Sequence, residues 1–250
     1  MYVLLALRNF IHFHSALLVR IPVFNDTTMK AVLVPSIGAS AEVRSDIDVP
    51  EPSDTQLLVK CIYTAINPVD AFMANMGLLV ESWPLVPGCD AAGVVVKAGK
   101  DAESALGGKF KDGGEVFGCT RLGQRGHGAW QEYVRRFSLT FLRKRAFQEL
   151  IHVMQFLMDA VATIPKPKSL NFAQACATGV GILTAFEGVF NTLNLPLLDP
   201  ENLPDGRDEW VLVFGGASTV GKFAVQALKL SGYKVVTTCS AKSIEVCALI

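Results

Sequence analysis

The stretch VFGGASTVGKFAVQALKLSG, Val213 to Gly232, decides how this chain is read. The apolar run WVLVFGG leads into it and ends on two glycines, as a strand buried on both faces does. TVGKFAVQALKLSG then shows amphipathic helical spacing closed by a glycine. YKVVTTCS reads as a second buried strand. Strand, helix and strand in this order form a βαβ unit, with a right-handed crossover and parallel strands.

Gly215, Gly216 and Gly221 sit where the strand turns into the helix. Glycine there permits positive φ and lets a phosphate approach the backbone. The helix N-terminus adds free N–H groups and the positive end of its dipole, so the turn favours an anion such as a dinucleotide pyrophosphate. The spacing is GGxxxxG, a variant of the GxGxxG fingerprint, and its meaning comes from its place between strand and helix. Ser218 and Thr219 have two readings: hydroxyls offered to the pyrophosphate, or helix caps. The second strand ends in Cys239 and Ser240, followed by Lys242 and Ser243, where an NAD site carries an acidic residue for the ribose hydroxyl. No carboxylate there repels a 2′-phosphate. Lys242 either neutralises one, which favours NADPH, or is a solvated loop lysine.

The chain has 250 residues, half of them apolar, enough for one large domain or two modest ones. Its 23 basic residues equal its 23 acidic ones, so nothing in the balance points to nucleic acid. Six cysteines are scattered without a CxxC pair, which reads as reduced thiols in a cytoplasmic protein. No apolar run reaches the roughly 18 to 20 residues of a membrane span. The N-terminal MYVLLALRNFIHFHSALLVRIPVF is broken by Arg8, Asn9, His12 and His14, and reads as an extension outside the fold or as a weak secretory signal. The sequence has no HExxH, no clustered Cys/His and no GxSxG, so no metal site is expected.

Between Met29 and Gly128, KAVLV, QLLVKCIYTAI, GVVVKAG and GGEVFGC are short Val/Ile-rich runs bounded by turn residues, predicting an irregular, barrel-like β domain. FSLTFLRKRAFQELIHVMQFLMDAV, 137 to 161, has apolar residues at helical spacing and predicts a helix. IPKPKSLNF is a connection, and NFAQACATGVGILTAFEGVF has the small-residue content of a tightly packed helix.

INPVD (66–70), VPGCDAAGVVVKAG (86–99), GAWQEYV (128–134), IPKPKSLNFAQA (164–175) and VLVFGGASTVGKFAVQALKLSGY (211–233), taken in this order, resemble the medium-chain dehydrogenase/reductase superfamily. Within it the chain is similar to the zinc-independent, trans-acting enoyl reductases of fungal polyketide pathways, the lovastatin type. The resemblance covers most of 29–250 apart from 136 to about 160. It implies an α/β protein: a GroES-like catalytic domain over 29–170 with an atypical helical insertion at 136–160, then the N-terminal part of a Rossmann NADP-binding domain over 171–250, truncated after its second strand, with 1–28 as an extension. It places cofactor contacts on Val69, Asp70, Ala217, Ser218, Thr219, Val220, Ser240, Ala241, Lys242 and Ser243. It places substrate contacts on Thr184, Ala185, Phe186, Glu187, Gly188, Val189, Phe190 and Asn191.

Zinc members carry GHE where this chain has Gly88-Cys89-Asp90, and a ligand cysteine near Asn67, so the resemblance implies the metal-free branch. It implies NADPH-dependent reduction of an α,β-unsaturated thioester tethered to a polyketide synthase. Phe72 stands where the family often has a lysine, and no catalytic residue is assigned. Two other readings remain open: a quinone or alkenal reductase of the same superfamily, and a non-catalytic remnant or synthase-docking module. The segment 136–160 is either a true insertion or intron sequence read as coding.

Overall fold

The computed structural model describes residues 28–102, 110, 112–130, 155–159, 163–199 and 201–250. The expected N-terminal extension, up to residue 27, and most of the expected helix over 137–161 lie outside them.

Strands β1 (Thr28–Leu33) and β2 (Glu42–Asp48) form an antiparallel pair. Strands β3 (Gln56–Ala65), β4 (Asp90–Ala98), β5 (Glu115–Cys119), β6 (Gln155–Asp159) and β7 (Thr163–Pro165) form a five-stranded sheet in the order β6-β3-β4-β5-β7. The four apolar runs become β1, β3, β4 and β5, because Val and Ile suit a pleated, half-buried surface. Leu57, Val59, Val95, Phe110, Val116 and Met158 close the core of this antiparallel region.

The helix expected over 137–161 is corrected at its end. Gln155–Asp159 is a strand, antiparallel to β3 with Leu58 opposite Leu157 and Gln56 opposite Asp159, and Met158 is fully buried. Five residues cannot show helical and strand periods apart when their neighbours are apolar too.

Helix α1 (Pro68–Met76) follows β3 directly. Further on, the stretch expected as one helix is three pieces: α2 (Phe172–Cys176), α3 (Gly179–Phe186) and a π-helical turn (Glu187–Thr192). The chain then forms β8 (Trp210–Val213), α4 (Thr219–Leu230) and β9 (Lys234–Thr237), closing with a 3₁₀ turn (Ala241–Ser243) and α5 (Ile244–Ala248). β8 and β9 pair in parallel, Trp210 beside Lys234 and Val213 beside Thr237. The expected βαβ unit is present, and Gly232 at φ 84° ends its helix.

Burial on both faces of these strands is a second correction. Val211, Val213 and Val235 pack against Val189, Phe190 and Leu228, but Trp210, Leu212, Phe214 and Val236 point away into the open. No helix among the described residues is long and apolar enough to cross a membrane.

Candidate cofactor and active site

Helix α4 starts where it does because Ser218 caps it. Its backbone is extended, and its Oγ accepts from the Gly221 N–H at 3.0 Å. The capping reading of Ser218 is therefore the observed one, with the hydroxyl proton still available to a ligand. Thr219 and Val220 occupy the first two helical positions, whose N–H groups have no intrahelical acceptor. Gly215 sits at φ 75° with nothing within 4 Å of where a Cβ would be, so conformation is what demands glycine there. Gly216 is different: a Cβ would fall 2.0 Å from Thr237 Oγ1. Together with Ala217, these residues form an open cradle at the positive end of a helix.

Two residues that sequence reasoning missed hold the cradle. Thr238 Oγ1 accepts from Gly215 N at 3.1 Å, and the Thr238 carbonyl accepts from Gly216 N at 3.0 Å. Thr237 donates its hydroxyl to the Val213 carbonyl at 2.8 Å. The hydroxyl pair ending β9, beside the glycines ending β8, is the signal that could have found them.

Beyond β9, Ser240 Oγ and Ser243 Oγ lie 3.0 Å apart around the 3₁₀ turn, with Ala241 and Lys242 exposed between them. Two hydroxyls and a lysine thus stand together just beyond the end of β9.

The loop before α1 is built around buried carboxylates. Asp70, 1 % exposed, accepts from Asn67 N at 2.7 Å and from Gly88 N at 3.1 Å. Both its oxygens serve the loop, and Val69 beside it packs against the Val34–Met73–Leu85 cluster. Asp90, 2 % exposed, accepts from Asn67 Nδ2 at 2.8 Å and from the α3 backbone at Val180 N, 2.6 Å away. Burial pushes both carboxyls above the ordinary carboxylate range, and for Asp90 the nearby Asp70 adds repulsion. Burial, then the charges of Asp70 and Asp90, pushes the Cys89 thiol far up, and burial chiefly holds Cys119 and Cys176 at about 12. Among the described residues no group of three or more His, Cys, Asp or Glu is placed to hold a metal ion.

The expected substrate stretch divides. Ala185, Val189 and Phe190 are buried, the last two in the core beneath β8 and β9. Thr184, Phe186, Glu187 and Asn191 are exposed, and Gly188 is half-buried. Glu187 accepts from Asn191 Nδ2 at 2.6 Å, across the π-helical turn. Phe72 is exposed on α1.

Helix α3 joins the two groups of residues. Val180 bonds Asp90 of the antiparallel region, while one residue on, Gly181 lies against Thr219 and Phe223 of α4. The Asn67–Asp70 loop and the start of the cradle helix are therefore each linked to the first turn of α3, the loop through Asp90 and α4 through Gly181.

A β-rich GroES-like region followed by a Rossmann-type βαβ unit defines an α/β fold of two unlike parts. The family model for the alcohol dehydrogenase GroES-like domain matches residues 53–139. The trans-enoyl reductase gkaC of Penicillium citrinum is 32 % identical over 221 residues, which are 87 % of this chain and 54 % of the relative. An alcohol dehydrogenase superfamily protein from Novosphingobium aromaticivorans superposes with a TM-score of 0.67 at 25 % identity, covering 88 % of this chain and 56 % of the other. A mycobacterial protein solved with NADPH, Rv1454c, superposes at 0.63 with 20 % identity, covering 88 % and 56 %. The chain is thus similar to members of the medium-chain dehydrogenase/reductase superfamily. It spans about half the length of gkaC.

Proposed function

We propose that the chain carries the active-site side and the pyrophosphate cradle of an NADPH-dependent, zinc-independent enoyl reductase. The observation that supports this reading is the junction at α3, whose first turn contacts Asp90, bonded to Asn67, on one side and the start of α4 on the other. The residues fit a dinucleotide: an open left-handed glycine, unbonded N–H groups at the first turn of α4, and hydroxyls with a lysine after β9. NADPH rather than NADH is supported by Lys242 and by the lack of a carboxylate at the end of β9. When bound, NADPH supplies a hydride to the β-carbon of an α,β-unsaturated thioester, and a proton from water completes the product at the α-carbon.

The protein's share is position and dryness. Thr219 and Val220 would hold the pyrophosphate by their N–H groups, and Lys242 would hold the 2′-phosphate. Exposed Phe72 and Phe186 offer apolar surface to a polyketide chain. The zinc-independent reading rests on the donor set. Asn67 donates its amide N–H to Asp90 and toward the Cys89 sulfur, and the Asp90 oxygens are taken by Asn67 and Val180, so these groups are committed to the protein's own hydrogen bonds. The domain division at about residue 170, the cytoplasmic location and a polyketide synthase presenting the substrate complete the proposal.

The test is NADPH binding followed by fluorescence, with turnover of an enoyl N-acetylcysteamine thioester beside a simple quinone. Binding with thioester turnover is the expected result. Quinone turnover alone would make the chain a quinone or alkenal reductase. Failure to bind NADPH would leave a non-catalytic module.

A further inference from the structure

We infer that Asp90 is a positioning residue that fixes the spacing between the Asn67–Asp70 loop and the glycine cradle by acting as a remote cap for helix α3. The functional half of this inference rests on the reductase reading; the structural half does not.

Helix α3 lacks a local cap. Thr178, at the cap position, keeps helical backbone angles and makes no side-chain capping bond; its hydroxyl instead donates to the Ala175 carbonyl at 2.7 Å. The first turn of a helix nevertheless needs acceptors for its N–H groups. One comes from ninety positions earlier in the sequence, as Asp90 Oδ1 accepts from Val180 N at 2.6 Å. A short bond from N–H to carboxylate is among the stronger hydrogen bonds, and the helix dipole adds to it.

The neighbouring sequence is shaped to this bond. A Cβ on Gly179 would lie 2.2 Å from Asp90 Oδ1, so only glycine lets α3 come this close. On Gly181 a Cβ would lie 2.7 Å from Thr219 Cγ2 and 3.2 Å from Phe223, so the same turn is also pressed against the start of α4. The other oxygen of Asp90 accepts from Asn67 Nδ2 at 2.8 Å. One buried carboxyl therefore links three things in series: the loop at Asn67, the first turn of α3 and, through Gly181, the residue that begins α4. Chains of packed and hydrogen-bonded groups of this kind set the relative placement of reacting partners, on which rates depend steeply.

The test uses the full chain with Asp90→Ala, Asp90→Asn and the exchange variant Asp90→Asn/Asn67→Asp, which reverses donor and acceptor while keeping the shape. Hydrogen exchange reads the structural half without any substrate. In Asp90→Ala, Val180 amide protection is expected to fall by about tenfold or more, with the cradle amides following and the β3 and β4 amides unchanged. If Asp90→Ala does not fold, Asp90→Asn is expected to show the same pattern at smaller size, because it retains an acceptor and loses the charge. Unchanged Val180 protection, or equal loss across β3 and β4, overturns the inference.

Turnover reads the functional half. Asp90→Asn is expected to lower kcat by about tenfold while the NADPH dissociation constant moves less than about twofold, and the exchange variant is expected to recover most of the rate. Unchanged kcat, or loss without recovery, removes the positioning role. A wild-type chain that turns over no thioester overturns the reductase reading instead, and the exchange data alone then decide whether Asp90 caps α3.

Discussion

The antiparallel and parallel regions of this chain handle apolar side chains in opposite ways. In the five-stranded sheet Leu57, Val59 and Met158 have no accessible surface, and Phe110 closes the same cluster. In the two-stranded parallel sheet one face is packed on α4 and the π-helical turn, while the other leaves Trp210 66 %, Leu212 52 % and Phe214 79 % exposed. Both sheets are built from apolar strands. Burial is therefore a property of what stacks on a strand, and a hydrophobic run states only that something can stack there.

The largest effect expected from this contrast is at Leu57. Leu57→Ala should cost about 2 to 5 kcal/mol, measured by urea unfolding, because a packed sheet cannot collapse around the void. Gly216→Ala comes next. Its methyl would meet Thr237, so a loss of about 1 to 3 kcal/mol is expected, together with weaker NADPH binding in a fluorescence titration.

The buried carboxyls of the antiparallel region give a pH prediction. Asp70 and Asp90 hold their protons above the ordinary value of 3.8, so in that window the folded state binds more protons than the unfolded chain. Their contribution is fully present below pH 3.8 and is lost as pH rises through the raised values. Unfolding free energy measured against pH should show this decline, and Asp90→Asn should flatten it. A slope unchanged by the substitution would count against the buried state of Asp90.

Smaller again is Lys242→Ala, expected to reduce the preference for NADPH over NADH by about fivefold, less at high salt, since the lysine is exposed. The smallest is Leu212→Ala, expected to change stability by less than about 0.5 kcal/mol. A cost there as large as that of Leu57→Ala would break the comparison, and would mean that the open sheet face is covered in solution.

The legible parts of the fold were those in which local pattern and tertiary role agree. The runs at β1, β3, β4 and β5 are short, apolar and bounded by turn residues, and the glycines between β8 and α4 mark a turn that few other residues can make. Strand β2 was not legible: EVRSDID is mostly polar, with Val43 exposed, and Arg44 reaches Asp46 at 2.9 and 2.5 Å on the open surface. Strand β6 was hidden in a longer apolar stretch, and its pairing with β3 depends on residues about a hundred positions away. In the candidate site, the cradle could be read because its chemistry is local. The Asp90–Val180 bond could not, although GVG at 179–181 was visible as a run of small residues, because the reason for its glycines is a carboxyl in another part of the sheet.

The π-helical turn at Glu187–Thr192 has a consequence for how this chain tolerates change in length. A π turn holds one more residue than an α turn, so it behaves as a single inserted residue absorbed without breaking the helix. Deleting one residue there would restore α geometry, so the change would fall on the residues of the π turn itself. Phe186 and Phe190, now edge to face with centroids 5.1 Å apart, and Val189, packed in the core, would have their spacing reset. Length in this helix is thus coupled to which side chains face inward, and the segment should accept substitutions more readily than deletions.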